Sequence, residues 1–122
     1  MSDGRPDEHV LIESSDLVLV TADHATGELR EDRLRFAYDD GRIYLLARAD
    51  ESAGWYRNVE KDRGVVLRVK RRGFRGRASL IDARQRASLA TQVVTRFKRK
   101  YGAEFQPGKL GDWLPVVIVI EF

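Results

Sequence analysis

The sequence predicts a mainly β domain, a small closed barrel of six strands with two helices. Three observations predict it. Short apolar runs with period-two alternation recur along the 122-residue chain. Four of the six are tied into two hairpins by turn residues, and tight turns make antiparallel neighbours. Only two segments carry helical spacing, too few for the crossovers that a parallel sheet needs at every step.

In chain order, residues 1–8 are polar and read as a flexible tail, leaving 9–122 as one domain. Two apolar bursts follow, Val10–Ile12 and Leu17–Val20, the second rich enough in Val and Leu to be a strand. Asp23–Asp32 is polar around Gly27 and reads as a loop. Leu34, Phe36 and Tyr38 then alternate up to Asp39-Asp40-Gly41, and Ile43–Leu46 returns, a hairpin whose Gly tolerates positive φ. Asp50 or Ser52 can cap a short helix in which Trp55 and Val59 share a face. A second hairpin runs Val65–Lys70, turns in Arg71-Arg72-Gly73 and returns through Phe74–Ile81, with Gly76 placed for a bulge or a close backbone approach. Asp82 is the expected N-cap of the longer helix, with Gln85 at capping-box spacing. Ala90, Val93, Val94, Phe97 and Tyr101 form its apolar stripe, and Gly102 its stop. The unbroken run of PVVIVIEF predicts a last strand buried on both faces.

Composition narrows the function classes. Hydrophobic residues make up 43% and charged residues 34%, an ordinary globular balance. Without cysteine there can be no disulfide, thiolate metal site or thiol nucleophile, and a cytoplasmic setting is the default expectation. The polar start MSDGRPDE is no signal peptide, and the longest apolar run, Leu114–Ile120, is too short to span a bilayer. The net charge of +3 hides a strong asymmetry. Residues 1–62 hold 15 acids and 8 bases, whereas residues 63–103 hold 13 bases and one acid. Either the acidic half neutralises the basic half, or the basic half faces an anion.

Conventional catalytic equipment is sparse. His9 and His24 lack metal-ligand spacing, so no metal is expected, and no nucleophile elbow, P-loop or dinucleotide fingerprint is present. The pairs Glu31-Asp32 and Asp39-Asp40 are adjacent in loops, a turn signature. An enzyme so equipped needs a cofactor that carries the hard step, with the protein supplying shape, anchoring and a dry face. Three features suit that role: the Gly27 loop, the strand end at Ala47-Arg48, and the helix segment WYRN with Trp55, Tyr56 and Asn58. Trp55 and Asn58 admit two readings, a core plug with a backbone-bonding amide, or the wall of a ligand groove.

The order ATGELREDRLRFAYDDGRIYLLA, GWYRN, VVLRV, FRGRASLI, RFKRKYG, PVVIVIEF resembles the split β-barrel flavin and deazaflavin oxidoreductases. These are relatives of pyridoxamine 5′-phosphate oxidase, and the branch resembled most is the deazaflavin-dependent nitroreductase family. The resemblance covers roughly residues 17–122. It implies an FMN-binding type of split barrel holding FMN or a deazaflavin (the 8-hydroxy-5-deazaflavin coenzyme). It also implies hydride transfer to a small organic acceptor such as a quinone or nitro compound, and a homodimer with the cofactor between subunits.

Residue by residue, the resemblance places the cofactor's phosphate-bearing tail on a loop of the form G-[RK]-[KR]-[ST]-G-x-x-R. Here that stretch is Asp23 to Arg30. Thr26, Gly27 and Arg30 match; Asp23 and Ala25 do not, Glu28 adds negative charge, and His24 is a weak substitute for a fixed cation. A like charge about 4 Å from a phosphate costs roughly 1 kcal/mol in water and about 4 near a protein surface. Arg33 and Arg48 are placed to offset part of this, with Ala47 offering backbone contact. Trp55 and Asn58 match the motif directly and are expected beside the ring or tail, while Tyr56 and Tyr101 are candidates for the substrate side. Two other classes remain: a split barrel that binds a ligand without redox chemistry, motivated by the acidic loop, and, less favoured, a nucleic-acid binder acting through RVKRRGFRGR.

Overall fold

The computed structural model describes residues 7–48, 54–82, 85–106, 108 and 112–122. Seven strands form one antiparallel sheet in the order β2-β1-β5-β6-β7-β4-β3. They are β1 (Asp16–Ala22), β2 (Leu29–Arg35), β3 (Ala37–Asp39), β4 (Arg42–Arg48), β5 (Gly64–Val69), β6 (Arg72–Leu80) and β7 (Trp113–Glu121). Three helices accompany them: α1 (Glu8–Glu13), α2 (Gly54–Lys61) and α3 (Ala87–Tyr101).

The seventh strand has a simple origin. Residues 29–39 form one continuous path broken only at Phe36. Its first part pairs with β1 from Asp16↔Arg35 to Ala22↔Leu29, and its last three residues pair with β4 from Ala37↔Tyr44 to Asp39↔Arg42. This one bent strand therefore joins the two ends of the sheet and curls it into a half-barrel. The break is stapled by α3. The Tyr101 hydroxyl accepts from the Phe36 N–H at 2.9 Å and donates toward the carbonyls of Phe36 at 2.8 Å and Ser15 at 2.6 Å.

Both hairpins form, with one shift. Asp40 and Gly41 make the two-residue turn expected of Asp-Gly, with φ of 46° and 81°. The second turn is Lys70-Arg71 rather than Arg71-Arg72-Gly73, because Val69 pairs with Arg72 and Gly73 is already in β6. The expected close approach at Gly76 is present. A Cβ there would stand 2.5 Å from Ile118 Cγ2 and 3.0 Å from the Val119 carbonyl oxygen.

Three further differences follow. Leu29–Asp32, expected in a loop, belongs to β2, an edge strand whose ladder to β1 supplies the bonding that LREDRLR does not advertise. Val10–Ile12 lies in a third helix, α1, which begins at Glu8, inside the stretch expected to be a tail. Glu8 accepts from the Tyr38 hydroxyl, and Asp7 pairs with Arg72 at 3.2 Å. Helix α3 begins at Ala87 behind Arg86, without a side-chain cap, so Asp82 is not its N-cap; the Asp82 carbonyl instead accepts from the Arg86 N–H. The proposed caps of α2, Asp50 and Ser52, lie outside the described residues.

Two apolar clusters divide the sheet. The inner one holds Leu17, Leu19, Phe36, Ile43, Leu45, Leu67, Val116 and Ile118 with Val10 and Leu11 of α1 and Trp55 and Val59 of α2. Since α1 precedes the start of β1 and α2 bonds to its end through Thr21, the two helices close opposite rims. The second cluster lies on the outer face, where Ala90, Val93 and Phe97 of α3 cover Ala37, Tyr44 and Val117. Strand β7 is thus buried on both faces from Pro115 to Ile118, as its unbroken run predicts, but not through its whole length, since Val119 is 49% exposed on the uncovered side. Gly102 ends α3 with φ of 58°.

Candidate functional site

Helix α3 covers the outer face only over β3, β4 and β7. Among the described residues no helix covers the other half, β2-β1-β5-β6. Strand alternation sends Val18, Val20 and Ala22 of β1, Leu29 and Glu31 of β2, and Val66 and Arg68 of β5 to this side. A groove of about 600 Å³ runs over it, floored by Val20, Leu29 and Val66 and flanked by Glu31, Arg68, Arg75 and Arg77. Leu29 is 74% exposed and Val66 39%, unusual for large apolar side chains grouped on one face. Arg68 spans the floor to Glu31 at 2.7 Å. Beyond it lies a second hollow of about 650 Å³ at the α1 rim, lined by Asp16, Val18, Arg33 and Lys70 among others.

At the opposite rim the 23–28 loop borders this face. Its shape is set by Asp23, whose Oδ2 accepts from the N–H groups of Ala25 at 3.0 Å and Thr26 at 2.9 Å and from the Thr26 hydroxyl at 3.1 Å. The Thr26 N–H above all, with Ala25, the Thr26 hydroxyl and the Arg30 guanidinium, holds the Asp23 carboxyl below the usual range, partly offset by burial. Gly27 turns the chain at φ 78°. Helix α2 holds the loop from behind. Buried Asn58 accepts through Oδ1 from the His24 N–H and from His24 Nδ1, both at 2.9 Å, and donates through Nδ2 to Thr21 Oγ1 at 2.9 Å. The His24 ring therefore carries a proton on Nδ1. Lys61 Nζ donates to the His24 carbonyl at 2.8 Å.

Of the residues singled out in the sequence, the structure brings together His24, Thr26, Gly27 and Arg30 with Asn58. Arg30 stays near its own loop, 3.8 Å from Asp23 and 3.9 Å from Glu28. Trp55 is 6% exposed within the inner core and meets Tyr56 edge-on at 6.0 Å. Burial, then the Glu60 charge, raises the pKa of half-buried Tyr56. Ala47 points into the same core, while Arg48 lies over the Trp113 ring at 5.1 Å, toward the α3-covered side. Arg33 is at the other rim, paired with Asp16 at 3.1 Å. Tyr101 is also remote from the loop, at the Phe36 break. Sequence reasoning missed the bare face and the ordering role of Asp23. The second had a signal, since Asp followed three residues later by Thr-Gly is an Asx-turn pattern. The first had only the outward Val66 in a basic strand.

The model of the F420H(2)-dependent quinone reductase family matches residues 4–121. The chain belongs to that family. Solved structures of the same fold include an F420 reductase (16% identity, TM-score 0.73, covering 98% of this chain and 96% of that one). They also include the heme storage protein HutZ from Vibrio cholerae (19% identity, TM-score 0.73, 94% and 87% covered). A third is an FAD-binding protein from Mesorhizobium loti (18% identity, TM-score 0.71, 94% and 87% covered). At these identities the likeness shows the fold, a split barrel. Among curated protein sequences none matches the chain significantly.

Family membership implies reduced F420, a deazaflavin, as cofactor. The donor set of this chain fits one part of such a group and not another. The apolar floor suits a flat ring, and Arg75 and Arg77 can meet anionic substituents on it, while Glu31, Asp62 and Glu121 line the same groove. The 23–28 loop does not suit a phosphate, because its N–H groups are already bonded within the loop and to Asn58. Among the described residues no group of His, Asp and Glu is gathered that could hold a metal ion, and no helix is long and apolar enough to cross a membrane.

Proposed function

We propose that this chain is a deazaflavin-dependent reductase of quinone-like acceptors, which binds its cofactor ring on the bare outer face of β2-β1-β5-β6. One observation carries the reading: among the described residues α3 covers half of the outer face, and the half left open groups Val20, Leu29 and Val66 among Arg68, Arg75 and Arg77 and the acids Glu31, Asp62 and Glu121. When bound, the reduced deazaflavin supplies a hydride. The chain's own part is to offer an apolar floor, to keep water from one face of the ring, and to orient its polar edge through Arg75 and Arg77. Among the described residues Arg75 and Arg77 take part in no ion pair, so both are free to meet an anion.

A second copy of the chain completes the groove in this reading. The exposed Leu29, Val66 and Val119 supply apolar contact, and the mixed Glu31, Arg68, Arg77 and Glu121 supply pairing of opposite charge. The test is titration of the purified protein with F420 and with FMN, following fluorescence quenching, beside light scattering of the eluted protein. Saturable quenching at micromolar levels by a dimer is expected. Absence of quenching by either cofactor overturns the reading.

The filled loop favours a second reading, a split barrel that binds a ligand without redox chemistry. Native mass spectrometry of the protein as expressed separates the two: a flavin or deazaflavin mass supports the first, a lipid or heme-like mass the second. The basic hairpin favours nucleic acid less than its sequence suggests, because Arg72 is paired with Asp7 and Arg68 with Glu31.

A further inference from the structure

The 23–28 loop has the outline of an anion cradle, with a Thr-Gly turn, successive N–H groups and an arginine alongside. All six of its backbone N–H groups, however, are already engaged. The Asp23 N–H goes to the Glu28 carbonyl at 2.7 Å, and the Gly27 N–H to the Asp23 carbonyl at 2.8 Å. The His24 N–H goes to Asn58 Oδ1 at 2.9 Å, and the Glu28 N–H to the Thr26 hydroxyl at 3.2 Å. The remaining two, of Ala25 and Thr26, converge with the Thr26 hydroxyl on a single oxygen, Asp23 Oδ2. That convergence of two amides and a hydroxyl on one anionic oxygen is the arrangement by which a backbone nest grips a phosphate oxygen.

We propose that Asp23 is a resident anion in this cradle, one that excludes an external phosphate and leaves the chain indifferent to whether its ring ligand is phosphorylated. Two physical effects act together. An incoming phosphate finds every loop N–H engaged, and it meets the carboxylates of Asp23 and Glu28, with Arg30 already lying between them. The loop cannot open a new face easily, because Asn58, 3% exposed and bonded to Thr21, fixes His24 from the protein side. Four of the six N–H bonds do not involve the Asp23 side chain. Removing that carboxylate therefore frees the Ala25 and Thr26 amides while the frame around them stays bonded. Asp23 is a specificity-determining residue in this account, acting by occupancy. The indifference to phosphorylation rests on the ring-binding reading proposed above; the occupancy of the cradle does not.

The experiment has two arms. In the first, inorganic phosphate is added to the wild-type protein and to Asp23→Ala while amide proton and nitrogen shifts are followed. The wild type is expected to show no saturable shift at Ala25 or Thr26, and the variant a saturable one confined to residues 25–27. Saturable shifts of those amides in the wild type overturn the proposal, as does a variant that keeps its His24 signal and gains nothing. If Asp23→Ala loses the His24 signal, and with it the loop, Asp23→Asn decides. It keeps a side-chain acceptor on the same two amides without the charge, so occupancy predicts no saturable shift there, and a saturable shift at Ala25 or Thr26 in Asp23→Asn overturns the proposal. In the second arm, riboflavin and FMN are compared by fluorescence quenching. The wild type should bind both within about two-fold, and Asp23→Ala should favour FMN by several-fold more than the wild type does. A wild-type preference for FMN accompanied by shifts at Ala25 and Thr26 overturns the proposal. If neither flavin nor F420 binds at all, the ring-binding reading falls, and the phosphate arm still decides the role of Asp23.

Discussion

Replacing Tyr101 by Phe removes one oxygen and tests how the barrel is closed. The ring keeps its neighbours, with Phe97 at 5.7 Å and the Arg35 guanidinium at 5.0 Å from its centre. What disappears is the staple on Phe36. The Phe36 side chain is fully buried, and its backbone sits at the break between β2 and β3, where neither ladder reaches it. Its N–H loses its acceptor at 2.9 Å, and the carbonyls of Phe36 and Ser15 lose the hydroxyl proton that serves them. A buried donor left unpaired costs about 1–3 kcal/mol, and one donated hydrogen bond contributes about 1 kcal/mol. The expected loss is about 2–3 kcal/mol, an unfolding midpoint lower by about 6–15 °C for a domain of this size. Urea unfolding gives the first number, and amide exchange at Phe36 gives the location, with protection of that one amide falling more than that of its strand neighbours. A loss below about 0.5 kcal/mol with Phe36 protection unchanged would refute the staple. The bend would then be held by side-chain packing alone. Burial also raises the Tyr101 pKa, so the staple keeps its proton well into alkaline solution.

Two further perturbations probe the packing. Gly76→Ala sets a methyl 2.5 Å from Ile118 Cγ2 in the middle of β6 and β7, and overpacking of that kind costs about 1–3 kcal/mol. Combined with Ile118→Ala, which deletes the clashing carbon, the loss in urea unfolding should fall short of the sum of the single losses; strict additivity would place the clash elsewhere. Lys100 lies 3.6 Å from the centre of the Phe36 ring, and burial, opposed by the Asp16 charge, lowers its pKa to about 8. Between about 8 and the ordinary value near 10.5 the unfolded chain binds more protons than the folded one. Stability therefore rises with pH through that window, and the cost is fully present below it. Since the side chain is about half exposed, the effect is on the order of 1 kcal/mol. Urea midpoints at neutral pH and near pH 10.5 should show Lys100→Met missing this rise relative to wild type; an equal rise in both proteins would contradict it.

Much of the fold is legible in the sequence where one interaction dominates. Asp40-Gly41 allows positive φ cheaply, so the first hairpin turn is found to the residue. The stripe Ala90, Val93 and Phe97 buries as its spacing predicts. The second turn is displaced because Lys70 adopts positive φ, at 56°, without being Gly or Asn, a choice that strand pairing imposes. Asp82 fails as a cap although its spacing to Gln85 is right, since the helix it would cap starts at Ala87. The candidate site was legible as residues and not as an arrangement. His24, Thr26, Gly27, Arg30 and Asn58 do meet, and the structure shows what they hold, which is the loop itself. Arg33 sits at the other rim because β2 carries it away from Arg30 at about 3.3 Å per residue, and Tyr101 because α3 brings its hydroxyl to the Phe36 break.

By itself, then, the sequence determined most of the local elements, the family and the charge of the 23–32 segment. Periodicity and turn chemistry act over a few residues, and a charge is a property of the side chain alone. Only the tertiary structure decided that residues 29–39 close the sheet by pairing with two different strands. It alone showed that α3 covers one half of the outer face and leaves the other bare, and that Asp23 already fills the cradle its loop resembles. Alternation says which side of a strand is apolar, not what lies upon it. Whether an N–H is free is a count of partners, and the partners of this loop come from residues as far along the chain as Asn58.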